Sequence, residues 1–228
     1  MIHTFTRHLR VRKAATVVQQ HSSHYYAQHR HFSSAPTLPT VSCADVITIP
    51  LYSDNYCYLL IDRHSKKAAV VDPGSAEEVI QVIERYQMEQ GISLTTILCT
   101  HKHDDHVGGN TAIKRHFPNV EIIGTGYEAI PALDRAVYHE DTFSIGSLQV
   151  HTLHTPCHTR GHVCFYVSRA SGSGHDKPSR CDQKDGGAQG LTCAESQEVA
   201  PILFSGDTLF AGGCGRFFEG TGRLAAAT

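Results

Sequence analysis

From residue 46 onward, short apolar runs alternate with polar breaks, and the runs change period along the chain. Residues 46–50 and 56–62 are apolar and β-branched, and Ser53-Asp54-Asn55 between them has the chemistry of a hairpin turn. A third run, 68–71, ends at Asp72-Pro73-Gly74, and three such runs in succession predict a meander. The period then switches: Val79, Ile83 and Tyr86 recur at helical spacing, Ser75 and Glu78 stand as a capping box, and Gly91 supplies a stop. This predicts a helix over 76–90 with one buried face. Residues 94–99 are again β-branched and apolar, and a shorter helix over about 110–116 breaks before Pro118. Further strands are expected at 120–123, 141–145, 148–153, 162–167 and 201–204. Between the last two, residues 169–199 are dominated by Gly, Ser, Asp, Lys and Gln, the composition of a solvated insertion. Helices set among hairpins indicate a layered α/β or α+β domain.

Charge changes the picture at the N-terminus. Residues 1–44 hold Arg7, Arg10, Arg12, Lys13 and Arg30 but no Asp or Glu, leaving 15 basic against 22 acidic residues in the remainder. An acid-free segment rich in Arg, Ser and His, without a long apolar stretch, reads as an organelle transit peptide. Residues 1–40 are therefore expected to be a structureless leader to the mitochondrial matrix, with plastid or cytoplasm as the alternative, and with a mature start near Ser33 in Arg30-His31-Phe32-Ser33-Ser34; residues 41–228 are expected to form the folded domain. The acidic remainder has no electrostatic footprint for nucleic acid. No apolar run approaches the roughly 18–20 residues needed to cross a bilayer, so no membrane partner is expected either. The eight cysteines form no CxxC pair and no even framework, which makes free thiols the expectation.

Six of the 17 histidines lie before residue 45 and carry no site information. The informative group is THKHDDH, in which His101, His103, Asp104, Asp105 and His106 crowd into six positions after a buried strand and before Gly108-Gly109. So many side chains able to ligate metal would repel or compete unless a cation organised them, and imidazole with carboxylate suits zinc or iron. Two further candidates stand at strand ends: His158 in Thr155-Pro156-Cys157-His158-Thr159, and Asp207 in Ser205-Gly206-Asp207-Thr208.

With these residues in view, the chain resembles the metallo-β-lactamase fold superfamily, whose signature is His-x-His-x-Asp-His with a distant His and Asp. Within it, THKHDDHVGGN, TPCHTRGH and SGDTLFAGGCGRFFEGT are similar to the glyoxalase II (hydroxyacylglutathione hydrolase) family, over roughly residues 45–221 without the insertion. The resemblance implies a four-layer αββα sandwich with the site at the sheet edge and two divalent metals, zinc foremost, with iron or manganese as alternatives. It implies that His101, His103 and His158 hold the first metal, that Asp105 and His106 hold the second, and that Asp207 bridges them. Asp105 and Asp207 are then the residues assigned to catalysis. Asp104 falls outside the pattern as a solvated acid, His162 and His116 are expected to be structural, and Cys157 and Cys164 to be packing residues. Arg216, Phe217 and Phe218 match the loop that touches glutathione, with Phe218 where some relatives carry Tyr. The implied reaction cleaves S-D-lactoylglutathione, a glutathione thioester, to D-lactate and glutathione in methylglyoxal detoxification, in a monomer.

The family continues past Gly-Thr with a Gly-His-Glu-Tyr-like motif that completes the second metal site, and with a helical region that binds glutathione. Here Arg223-Leu224-Ala225-Ala226-Ala227 and Thr228 follow instead. The expectation is a C-terminally truncated chain, incomplete in its second site, poorly soluble and weakly active. Two alternatives stay open. One is a mononuclear-iron persulfide dioxygenase using His101, His158 and Asp207, and the other is an inactive metal-binding product.

Overall fold

A computed structural model describes residues 16–18, 43–169 and 201–221. Eleven strands form two sheets among these residues: β1 (Thr16–Val18), β2 (Ala44–Leu51), β3 (Asn55–Asp62), β4 (Lys67–Val71), β5 (Ser93–Cys99), β6 (Glu121–Thr125), β7 (Arg135–Val137), β8 (Thr142–Ile145), β9 (Leu148–His154), β10 (Val163–Arg169) and β11 (Ile202–Phe204). One sheet has the order β2-β3-β4-β5-β6-β7 and the other β1-β11-β10-β9-β8. The meander β2-β3-β4 is antiparallel, whereas β4, β5, β6 and β7 run parallel. The crossovers carry α1 (Glu77–Gln90) between β4 and β5, then α2 (Asp104–Val107) and α3 (Asn110–His116) between β5 and β6.

Strand β3 shows why the sheets stack. Its alternate residues face opposite ways, and both faces are apolar, so it must be covered twice. Tyr58 and Leu60 pack with Phe165, Phe204, Val150 and Leu148 in the core between the sheets. Cys57, Leu59 and Ile61 pack with Val79 and Ile83 of α1 and Ile113 of α3 on the opposite face. Each large aliphatic or aromatic side chain buried in this way contributes roughly 1.5–3 kcal/mol.

Some expectations need correcting. Ser75 and Glu78 do not make the reciprocal backbone cap: Ala76 is the N-cap, and the Ser75 hydroxyl bonds the Glu78 carboxylate directly. Gly91 does end α1, in the left-handed conformation (φ 67°). Asn55 belongs to β3 rather than to the turn, and Arg169 to β10 rather than to the insertion, whose residues 170–200 lie outside the described part. Within the segment expected to be a leader, Thr16–Val18 pairs in parallel with β11. Strand β7 and helix α2 were not anticipated: three and four residues are too few to show a period. Of the four expected layers, the described residues supply three, α1 and α3 on one sheet and the second sheet beneath it. None of the described helices is long and apolar enough to cross a membrane.

Candidate metal centre

The C-terminal ends of β4, β5, β6, β9 and β11 meet at one edge of the sandwich, where the two sheets are joined by a hydrogen bond from the Val163 N–H to the Thr100 carbonyl (2.9 Å). In sheets of this kind, loops at strand ends are free to converge on a ligand while the strands hold them in place.

Strand β4 delivers Asp72, which takes a left-handed φ of 53° immediately before Pro73. Its buried carboxylate accepts from the Thr100 N–H (2.8 Å), the Thr100 hydroxyl (2.7 Å) and His106 Nδ1 (3.1 Å). The following Gly74 lies so close to α2 that a Cβ there would meet the Asp105 carbonyl at 1.9 Å, so the turn can only be glycine. Helix α2 then faces His106 inward and leaves Asp104 exposed.

These partners fix the histidine tautomers. The Thr100 hydroxyl gives its proton to Asp72, so at 3.0 Å it accepts from His101 Nδ1–H, which leaves His101 Nε2 bare. His158 Nδ1 faces the Arg216 carbonyl at 2.8 Å and must donate, leaving its own Nε2 bare. His106 Nδ1 likewise donates to Asp72. A ring nitrogen held by an oxygen acceptor so that the other lone pair points inward is the arrangement of a metal ligand.

The inward atoms crowd together. His103 Nδ1 is 3.0 Å from His101 Nε2 and 2.9 Å from His158 Nε2. The Asp207 carboxylate divides between the two halves of the centre: Oδ2 is 3.2 Å from His158 Nε2 and Oδ1 is 3.2 Å from His106 Nε2. His106 Nε2 and Asp207 Oδ1 are buried at ion-pair distance but not aligned as a hydrogen bond, and neither has a hydrogen-bond partner. Two orphaned polar atoms facing a cluster of bare nitrogens fit a cation. Two donor groups result, His101 with His103 and His158, and His101 with His106 and Asp207, each within 4.8 Å. Asp105 stands at the rim, its side chain 55 % exposed and Oδ2 3.5 Å from His106 Nε2. Asn55, inside the site end of β3, holds it by donating to its carbonyl (2.7 Å) and Oδ2 (3.1 Å).

His162 acts on Asp207 from behind. Its Nε2 accepts from the Asp207 N–H (3.1 Å), and its Nδ1 faces the Thr155 and Thr208 hydroxyls. His116 pairs with Glu84 on the helical face (2.8 Å), and Cys157 and Cys164 are buried, with Cys57, Cys99, Cys43 and Cys214 also free thiols. On the outer side, Phe218 sets its ring edge-on to His158 (5.2 Å) and His103 (5.8 Å), and the Arg216 guanidinium lies over Phe218 at 5.4 Å. Phe217 is half-exposed beside them. Gly215 makes this loop's close approach to the centre, because a Cβ there would lie 2.3 Å from the Asp207 carbonyl. Asp72, Asn55, Glu128 and Glu219 are site residues that sequence reasoning missed, although a left-handed Asp before Pro-Gly at a strand end was a usable signal for the first.

Burial keeps most of these imidazoles neutral: His162 is pushed down to about 3, His101 well below and His158 below the usual range. For His106 burial acts the same way, but the Asp207 carboxylate at ion-pair distance and the hydrogen-bonded Asp72 carboxylate outweigh it and raise it to about 10. Neutral His162 binds fewer protons folded than unfolded, so its contribution is lost as pH falls from about 6.5 towards 3; protonated His106 binds more, so its contribution is lost as pH rises from about 6.5 to 10. The metal-free chain is therefore expected to be most stable near pH 6.5. Thermal midpoints measured with chelator from pH 4 to 10 check this, and a profile rising steadily to pH 10 would contradict it.

The metallo-beta-lactamase superfamily model matches residues 53–171, just over half of the chain and the stretch that carries four of the five imidazole and carboxylate loops. The chain belongs to the metallo-beta-lactamase superfamily. A probable hydroxyacylglutathione hydrolase of Schizosaccharomyces pombe is 36 % identical over 179 residues, covering 77 % of this chain and 58 % of the relative. A cytoplasmic hydroxyacylglutathione hydrolase of Arabidopsis thaliana is 36 % identical over 177 residues, covering 77 % and 57 %. The chain thus spans somewhat over half the length of the curated relatives it matches. Among solved structures, the B3 metallo-beta-lactamase BLEG-1 superposes with a TM-score of 0.57 at 24 % identity, covering 80 % of this chain and 82 % of that one, a likeness of fold. Superfamily membership and the His and Asp donor groups together indicate divalent metal binding.

Proposed function

We propose that this chain carries the two-metal centre of a glutathione thioester hydrolase acting on S-D-lactoylglutathione. The observation that carries the reading is the Asp207 carboxylate, whose two oxygens serve different imidazole sets. A mononuclear-iron dioxygenase needs no such division. The substrate class is supported by the names of the two 36 % identical relatives and by the Arg216–Phe218 loop packed against His103 and His158.

His101, His103 and His158 would hold one ion and His106 with Asp105 the other, with Asp207 between them; zinc suits the donor set. When bound, two such ions would supply a water of near-neutral pKa and a Lewis acid for the thioester carbonyl. The chain's own residues do the rest. Thr100, Asp72 and the Arg216 carbonyl hold the imidazoles in the ligating tautomer. The Phe218 ring keeps water off one side of His158, and the Arg216 guanidinium offers a planar fork for a peptide carboxylate. Hydrolysis breaks the carbonyl–sulfur bond and gives a carboxylate and a thiol; because a thiol ionises near pH 8.5, it leaves without a dedicated general acid.

Purified chain loaded with zinc is expected to release thiol from S-D-lactoylglutathione, to stop on chelation and to resume on zinc addition. Absence of thiol release together with oxygen uptake on glutathione persulfide would instead establish the dioxygenase.

A further inference from the structure

Glu128 follows β6 and touches none of the donor atoms, yet its carboxylate is only 7 % exposed and is spanned by the two loops that build the first donor group. Oε1 accepts from the Lys102 N–H at 2.8 Å and from the Thr159 hydroxyl at 3.1 Å, and Oε2 accepts from the Gly161 N–H at 3.0 Å. Lys102 stands between His101 and His103, and Thr159 and Gly161 flank the His158 loop. Gly161 approaches so closely that a Cβ would lie 2.7 Å from the Glu128 side chain. A second carboxylate, Glu219, ties the same loops to the Arg216–Phe218 segment, through the Lys102 ammonium (2.6 Å) and the Arg160 N–H (2.8 Å).

From this juxtaposition we infer that Glu128 is the positioning residue of the first metal site, fixing the separation of the His101–His103 loop from the His158 loop. The 2.9 Å approach of His103 Nδ1 to His158 Nε2 crosses between these loops, and along their outer side Glu128 bonds both. Three donors converge on two oxygens of one anion, which makes the bonds short and directional. Losing the anion leaves buried N–H groups unpaired and lets the loops part. Partners that orient ligands in this way typically alter metal affinity by about 10–100-fold.

The inference rests on the metal-centre reading but not on the substrate, so its test uses cobalt(II) alone. Visible absorption titrations of the full chain are expected to show binding weakened about 10–100-fold, with altered bands, in Glu128→Ala, and an intermediate loss in Glu128→Gln, which keeps one acceptor oxygen. Asp62→Asn is the comparator. Asp62 is a fully buried carboxylate at the far end of β3 that accepts from the His64 N–H and from Ser65 and Ser147. It should lower the thermal midpoint and leave the cobalt titration unchanged. Cobalt affinity and bands in Glu128→Ala equal to those of the unaltered chain overturn the inference, whatever happens to its stability. An unaltered chain that takes up cobalt normally but hydrolyses no thioester overturns the substrate reading only.

Discussion

Asp207→Asn is expected to leave the chain folded while lowering its metal content below that of the unaltered protein and the proposed thioester hydrolysis by on the order of a thousandfold. The carboxylate reaches both halves of the centre with separate atoms, Oδ2 towards His158 and Oδ1 towards His106. The amide has the same shape but only one acceptor oxygen, and its NH2 would turn towards one of those imidazole nitrogens. There it would hydrogen-bond a lone pair that otherwise faces a cation, so it competes with metal as well as ceasing to bridge. Stabilisation of charge at such a centre amounts to several kcal/mol, and about 4 kcal/mol corresponds to a factor of roughly a thousand. Elemental analysis and kcat/KM on S-D-lactoylglutathione provide the check. Retention of full metal content and more than a tenth of the activity would refute the bridging assignment.

Asp72→Ala should have the largest effect on stability. It removes the acceptor for the Thr100 N–H, the Thr100 hydroxyl and His106 Nδ1 at once, all inside the protein. The Asp72 and His106 side chains are 4 % and 1 % exposed, so the pair is screened very little. Removing one partner of a buried pair costs about 3–5 kcal/mol because the other is left uncompensated. In a domain of this size that is a fall in thermal midpoint of about 10 °C. The loss should be less than additive with His106→Ala, since the second change removes the group that the first one strands. Additive midpoints in the double variant would show that Asp72 acts elsewhere.

The sequence alone displayed the candidate ligands better than it displayed what orients them. His101, His103, Asp105 and His106 are adjacent in the chain, and His158 and Asp207 stand at strand ends, so local pattern found them. Strand β3 was also legible, because apolar residues on both faces require cover on both. Asp72, Glu128 and Glu219 act on groups 26 to 117 positions away, and apart from the Asp-Pro-Gly turn at Asp72 nothing in their neighbourhood marks them. Asn55 read as a turn residue because its amide chemistry suits a turn as well as it suits holding Asp105. Strand β1 escaped because its partner β11 lies at the opposite end of the chain.

The hydrogen bond from Val163 to the Thr100 carbonyl lies where the two sheets touch, and the donor groups straddle that same seam. His101, His103 and His106 come from one sheet, and His158 and Asp207 from the other. An ion seated among them would act as a rivet through the sandwich. Shear between the layers would then have to break coordination bonds as well as slide apolar faces, so metal occupancy becomes a mechanical property of the domain.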